Sequence, residues 1–182
     1  LIHGGFWRNR YALDLMDPLA ADLAARGFAA WNIEYRRVGD PGGGWHGTFD
    51  DVATAVDRVA GLADEHGLDA DDVALVGHSA GGHLALWAAG RAQAAVRPWI
   101  AIGQGPVVDL RACADARLSD GAAIGFLGGT PEEVPERYRD ATPNLSAGPR
   151  TVAVVGSADV NVPPAFSDDP AQPGAIEVVG ID

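Results

Sequence analysis

One pentapeptide constrains the possible folds of this chain more than any other feature. Residues 77–81 read Gly-His-Ser-Ala-Gly, directly after the apolar run Val73–Val76 and at the start of an alanine-rich segment. A strand that turns sharply into a helix needs glycine two positions before and after the turning residue, because side chains there would collide. We therefore predict a strand–turn–helix unit in which Ser79 projects from a sheet edge at the N-terminus of a helix.

The rest of the chain alternates strand-like and helix-like segments, which favours an α/β fold with a mostly parallel sheet. Its 182 residues suit one domain. Helices are predicted at Tyr11–Arg26, from the N-cap Thr48 to a stop at Gly67, and at Ala80–Ala95. Short helices are predicted within Leu110–Ala147, and one of them should start at Thr130. Strands are predicted at Phe28–Tyr35, Val73–Val76, Trp99–Ile102, Thr151–Val155 and Ala175–Val179. The sheet should therefore hold about five full strands plus the stub Leu1–Ile2.

The charge balance excludes several classes of partner. Asp and Glu total 25 against 13 arginines, a net charge of −12 that nucleic acids and anionic membrane surfaces would repel. No apolar run reaches the ~18 residues needed to span a membrane. The single cysteine, Cys113, excludes an internal disulfide framework and a cysteine zinc site, and we expect it to be a buried small hydrophobe. We predict no metal or cofactor, and a cytoplasmic location by default.

A second motif, His3-Gly4-Gly5-Phe6-Trp7, follows the strand stub and precedes a helix. Segments of this kind supply a backbone N–H to the oxyanion hole of esterases and lipases, because glycine lets the backbone approach a substrate carbonyl. Gly5 and Phe6 are the candidate donors here, together with Ala80 at the start of the helix after Ser79. His3 is expected to pin the loop by hydrogen bonds rather than to act as a base.

A third signal is an acidic residue in a turn after a late strand. Asp159 follows Thr151–Val155, where a carboxylate could orient a histidine and stabilise its cation. Asp109, after the preceding strand, is the second choice. Acidic residues beyond strands also occur simply as turn formers, so either one could have no chemical role.

Together these motifs resemble the serine esterases of the α/β-hydrolase fold, in the branch of hormone-sensitive-lipase-like, feruloyl-esterase-like and kynurenine-formamidase-like enzymes. The residues that carry the resemblance are His3–Trp7, Gly77–Ala85 and Gly156–Asp159, with Val162 and Pro163. The resemblance implies a mostly parallel sheet with helices on both faces. It also implies hydrolysis of a carboxylic ester or related small acyl compound, with Ser79 as nucleophile and Asp159 as triad acid.

The chain departs from that family's pattern in one respect. A catalytic histidine should follow the acid, but the histidines are residues 3, 46, 66, 78 and 83, and none follows Asp159. The family's first two strands also have no counterpart. We therefore expect residues 1–182 to be a single partial hydrolase domain, truncated at both ends and inactive alone.

No internal histidine is expected to replace the missing base. His46 belongs in a surface loop and His66 at a helix C-terminus, where its charge suits the helix dipole. His78 should point away from Ser79, because neighbours in a sharp turn diverge. His83 lies one turn into the helix and should support the site by packing.

Alternative functions stay open at the level of sequence. An arylformamidase, another amidase or a peptidase of the same fold would share these motifs, because fold does not fix substrate. A non-catalytic hydrolase-fold domain used for binding is the alternative from another class. Trp7 and Trp45 either line an acyl pocket or pack in the interior.

Overall fold

A parallel four-stranded sheet forms the centre of the computed structural model, which describes residues 1–182. The strands are β1 (Ala74–His78), β2 (Ile100–Gln104), β3 (Arg150–Gly156) and β4 (Glu177–Ile181), and they lie side by side in chain order. All three pairings are parallel, so every connection crosses over and all carboxyl ends share one edge of the sheet. Loops at that edge are where open α/β sheets place their ligands.

The sheet continues beyond β1 through single bridges rather than full strands. Ile2 pairs in parallel with Gly77 on one side and with Ile33 on the other. The expected strand Phe28–Tyr35 is therefore wrong, and the sheet has four strands rather than about five. Within that segment Ile33 alone forms a bridge, and its N–H donates to the Leu1 carbonyl at 3.1 Å.

The helices surround the sheet and mostly fall where the periodicity predicts them. They are a 3-10 helix (Leu13–Met16), α1 (Asp17–Ala25), α2 (Gly47–His66), α3 (Ala80–Ala89), α4 (Leu110–Asp115), α5 (Leu118–Leu127), α6 (Pro135–Ala141) and a second 3-10 helix (Pro164–Phe166). Helix α3 packs against β1 and β2 and ends at Ala89, six residues before its predicted end. In α5 the residues Ser119–Gly121 are left-handed, so regular helix starts only after them.

Two predicted helix starts are wrong. Helix α2 begins at Gly47 with His46 as N-cap, because the Thr48 hydroxyl accepts from the Gly44 N–H at 3.1 Å and donates to the Arg36 carbonyl instead. Thr130 caps a turn rather than a helix. The Thr130 hydroxyl accepts from the Glu133 N–H at 3.4 Å, and the Glu133 carboxylate accepts from the Thr130 N–H at 2.9 Å, as in a capping box.

The hydrophobic core is one cluster of 32 buried residues between the sheet and the helices. Its largest side chains include the fully buried Trp7, Phe49 and Phe126. Cys113 is buried in the core as expected, and burial raises the pKa of its thiol to about 11. No helix of the structure combines the length and hydrophobicity that crossing a bilayer requires.

Candidate active site

Ser79 occupies a strained turn between β1 and α3. Its φ of 54° and ψ of −120° lie outside the regions that side-chain-bearing residues prefer. A Cβ on Gly77 would lie 2.0 Å from the Gly81 carbonyl oxygen, and one on Gly81 would lie 2.2 Å from the Ile2 carbonyl oxygen. The two glycines therefore allow helix α3 and the Ile2 segment to close tightly around the serine.

The loop after Ile2 lies directly against this turn. A Cβ on Gly4 would be 3.0 Å from the Ser79 Cβ, so the glycine lets the two backbones meet. Gly5, Phe6 and Trp7 then follow with φ values of 114°, 50° and 57°. The N–H groups of Gly5 and Phe6 bond to no acceptor within the chain. Both residues are half-buried, and their N–H groups are thus left without a partner within the chain.

The candidate oxyanion loop, residues 3–7, is anchored through the His3 ring. Its Nδ1 lies 2.8 Å from the Gly4 carbonyl oxygen and its Nε2 lies 2.7 Å from a Glu34 carboxylate oxygen. The Tyr35 hydroxyl donates to the His3 carbonyl at 2.8 Å, and the Tyr35 ring stacks on the imidazole at a centroid distance of 4.3 Å. His3 is completely buried and has both nitrogens engaged, which agrees with the pinning role expected for it.

Glu34 helps to hold residues 3–7 in place through His3, a role that the sequence patterns did not predict. Burial alone would raise the pKa of this carboxyl, but hydrogen bonds from the Tyr35 amide and from His3 hold it below its ordinary value. The carboxylate therefore stays ionised and can hold the His3 ring. A separation of 31 residues in sequence gave no local signal for this pair.

Asp159 lies in the turn after β3, at the same sheet edge as Ser79. Its Oδ1 accepts from the N–H groups of Asn161 and Val162 at 2.8 and 3.0 Å. Its Oδ2 would lie 3.3 Å from a Cβ on Gly105. The Ser79 N–H donates to Gln104, the residue before Gly105, at 2.8 Å. One carboxylate oxygen is thus fixed by backbone, and the other lies near Gly105, the residue after the acceptor of the Ser79 N–H.

Asp109, the second candidate acid, has another task. It is the N-cap of α4, where its carboxylate accepts from the Ala112 N–H at 2.9 Å. This bond satisfies a helix-terminal donor that would otherwise lack a partner.

None of the five histidines in the chain is hydrogen-bonded to the Ser79 hydroxyl. His46 is exposed and pairs with Asp50 at 2.8 Å, while His66 lies in the last turn of α2. His83 is fully buried and its Nε2 lies 2.8 Å from the Ala141 carbonyl oxygen. Removal of water from part of the His78 ring lowers its pKa, although the Asp159 carboxylate opposes that shift.

The two loop tryptophans have different surroundings. Trp7 is completely buried and stacks on Phe126 at a centroid distance of 4.6 Å, so it packs and does not line an acyl pocket. Trp45 is half-buried and borders a cavity of about 160 Å³, which Arg137 also lines.

The parallel sheet, the serine at a strand–helix turn with positive φ and the glycine loop beside it are the features of an α/β-hydrolase fold. The BD-FAE family model matches residues 1–171, and the chain therefore belongs to the BD-FAE family.

One curated protein is similar to part of this chain in sequence, and solved structures share its fold. A probable carboxylic ester hydrolase, LipM of Mycobacterium tuberculosis (strain ATCC 25618 / H37Rv), is 36% identical over 88 residues, which is 48% of this chain and 20% of LipM. A truncated carbohydrate esterase from gut microbiota superposes with a TM-score of 0.78 at 19% identity, covering 99% of this chain and 74% of that one. A bacterial heroin esterase superposes with a TM-score of 0.74 at 23% identity, covering 98% and 63%. The chain thus matches about a fifth of its curated relative's length.

Proposed function

We propose that this chain carries the nucleophile, the triad acid and the oxyanion donors of a serine esterase that acts on small carboxylic esters. The observation that carries the proposal is the contact between two strained loops. Ser79 sits at a turn with positive φ, and the Gly4 backbone packs against it, next in the chain to the unpaired N–H groups of Gly5 and Phe6. The three similar proteins named above are esterases or ester hydrolases by name, which supports an ester as the substrate.

In the proposed reaction the Ser79 oxygen adds to the ester carbonyl while a histidine takes the hydroxyl proton. The carbonyl oxygen becomes an oxyanion, which the N–H groups of Gly5 or Phe6 and of Ala80 bind. The histidine then gives its proton to the departing alkoxide as the carbon–oxygen bond breaks. Water attacks the acyl-serine by the same sequence and releases the acid.

Asp159 is the proposed partner of that histidine. Its Oδ1 is fixed by two backbone donors, which leaves Oδ2 to accept from an imidazole N–H. We propose that the histidine lies outside residues 1–182, because no histidine follows Asp159 and none in the chain bonds to Ser79. Residues 1–182 alone should then hydrolyse esters no faster than background.

Hydrolysis of p-nitrophenyl acetate by the natural protein, with its flanking sequence, tests the proposal. Ser79→Ala should reduce kcat by about 10⁴-fold or more, because the nucleophile is lost. Ser146→Ala, at an exposed serine, is the matched control and should leave the rate unchanged. Faster turnover of a formyl-anilide than of the ester would favour the amidase alternative, whereas turnover of neither would favour the binding domain.

A further inference from the structure

Two buried polar atoms without hydrogen-bond partners lie on the oxyanion loop and on helix α3. They are the indole Nε1 of Trp7 and the Nδ1 of His83, and both side chains are completely buried. About nine in ten buried polar groups have a partner, so two unpartnered atoms on neighbouring side chains require an explanation.

The two atoms are chemically complementary. His83 Nε2 faces the Ala141 carbonyl oxygen at 2.8 Å, and because a carbonyl can only accept, this nitrogen must carry the ring proton. Burial lowers the pKa of His83 to about 4, so the ring is neutral at pH 7 and Nδ1 is a bare acceptor. The indole N–H of Trp7 can only donate.

The surroundings leave each atom little choice of partner. The two rings meet edge to face, with centroids 5.4 Å apart and planes at 87°. Phe126 stacks on Trp7, and both Phe126 and Phe49 meet the His83 ring at right angles. Aromatic carbon offers no strong acceptor or donor, so among these neighbouring rings only Trp7 and His83 can supply a polar counterpart to each other.

We propose that Trp7 and His83 form a buried polar link that positions the oxyanion loop against the nucleophile helix. The two atoms form no direct hydrogen bond in the structure, so the indole N–H donates to His83 Nδ1 through one trapped water that accepts from Trp7 and donates to His83, or directly after a small shift of one ring.

The link joins the parts of the site whose relative position matters most. Trp7 directly follows Phe6, a proposed oxyanion donor, in a run of left-handed residues. His83 donates its backbone N–H to the Ser79 carbonyl oxygen at 3.1 Å. Trp7 and His83 are thus positioning residues, since neither reaches the substrate. This functional consequence rests on the proposed esterase function, whereas the polar link itself does not.

NMR of the ¹⁵N-labelled protein tests the link without any need for activity. We expect long-range ¹H–¹⁵N correlations to show His83 protonated at Nε2 only, and the Trp7 indole proton to exchange far more slowly than that of the exposed Trp31. A nuclear Overhauser contact between the indole proton and water would identify the bridged form, and its absence the direct one. A proton on His83 Nδ1, or rapid exchange of the Trp7 indole proton, would overturn the proposal.

A double-mutant cycle in the unfolding equilibrium measures the coupling. Trp7→Phe should raise the unfolding equilibrium constant by some factor in the unaltered protein. In the His83→Phe background that factor should be about fivefold smaller, because the link is already gone. The control cycle pairs Trp31→Phe with His83→Phe. Its effects should add, since the Trp31 indole bonds to Ala55 and shares no partner with His83. Additivity in the Trp7 cycle as well would contradict the link.

Ester hydrolysis by the natural protein separates positioning from plain packing. Trp7→Phe should lower kcat about tenfold or more with KM changed less than about twofold, at temperatures where the variant stays folded. Unchanged kcat in a folded Trp7→Phe protein would overturn the positioning role. Complete lack of hydrolysis by the unaltered protein would instead refute the proposed function, and the NMR result would still decide the link.

Discussion

Gly77→Ala should be among the most damaging small substitutions in the protein. The added Cβ would lie 2.0 Å from the Gly81 carbonyl oxygen, 2.3 Å from its carbon and 2.7 Å from the Gly82 nitrogen. All three atoms are backbone of the first turn of α3, so no side chain can rotate away. Reaching an ordinary contact of 3.4 Å would require β1 and α3 to separate by more than 1 Å.

Overpacking of a rigid interior costs roughly 1–3 kcal/mol, and a clash with backbone belongs at the upper end. We therefore expect Gly77→Ala to lower the free energy of unfolding by about 3 kcal/mol, which corresponds to a fall in Tm of roughly 6–12 °C for a chain of this length. Thermal unfolding followed by far-UV circular dichroism measures both quantities.

The matched control is Gly125→Ala in helix α5. A Cβ there meets nothing within 4 Å, and alanine favours helix over glycine by about 1 kcal/mol, so this variant should be slightly stabilised. A loss of less than about 0.5 kcal/mol for Gly77→Ala would refute the account of tight closure around Ser79.

Three further predictions concern charges and the triad. The pKa of His83 is lowered from 6.5 to about 4 in the folded protein, so the unfolded state binds more protons between pH 6.5 and pH 4. His83 should therefore lower the free energy of unfolding by about 3 kcal/mol as the pH falls from 6.5 to 4. Urea unfolding at several pH values measures this loss, and His83→Phe should remove it. Asp159→Asn should cut kcat for p-nitrophenyl acetate by about 10²–10⁴-fold, whereas Asp109→Asn keeps a helix cap and should change it little; equal effects would contradict the assignment of the acid. Asp57→Asn breaks a half-buried bidentate pair with an arginine and should cost about 1–3 kcal/mol in urea unfolding, against less than about 0.5 kcal/mol for the exposed helix pair broken by Asp22→Asn.

Local sequence signals predicted the elements whose causes are local. Strand β1, the turn at Ser79 and the start of α3 follow from an apolar run and a glycine pair within ten residues. Gly67 ends α2 in a left-handed conformation, as its position after the last helical turn indicated. The strand predicted at Phe28–Tyr35 is absent, because a strand needs partners along its length and only Ile33 has one. Pairing is a tertiary property that β propensity does not reveal.

The same distinction holds for the candidate site. The serine turn and the glycine loop are recognisable from motifs, because each is built within one short segment. The contacts that hold them are not recognisable in this way, since Glu34 meets His3 and Trp7 meets His83 across long stretches of chain. Thr48 shows why local patterns do not predict such long-range contacts. Its hydroxyl could cap a helix, but it donates instead to the Arg36 carbonyl in a preceding loop.

Covalent labelling of the natural protein tests the central claim most directly. Diethyl p-nitrophenyl phosphate reacts with an activated serine, whose oxygen displaces p-nitrophenolate from phosphorus. Peptide mass spectrometry after labelling should place one diethylphosphoryl group on Ser79, with none on Ser146, and Ser79→Ala should abolish it. A protein that hydrolyses esters yet carries the label on another residue, or on none, would contradict the account of Ser79 as the nucleophile.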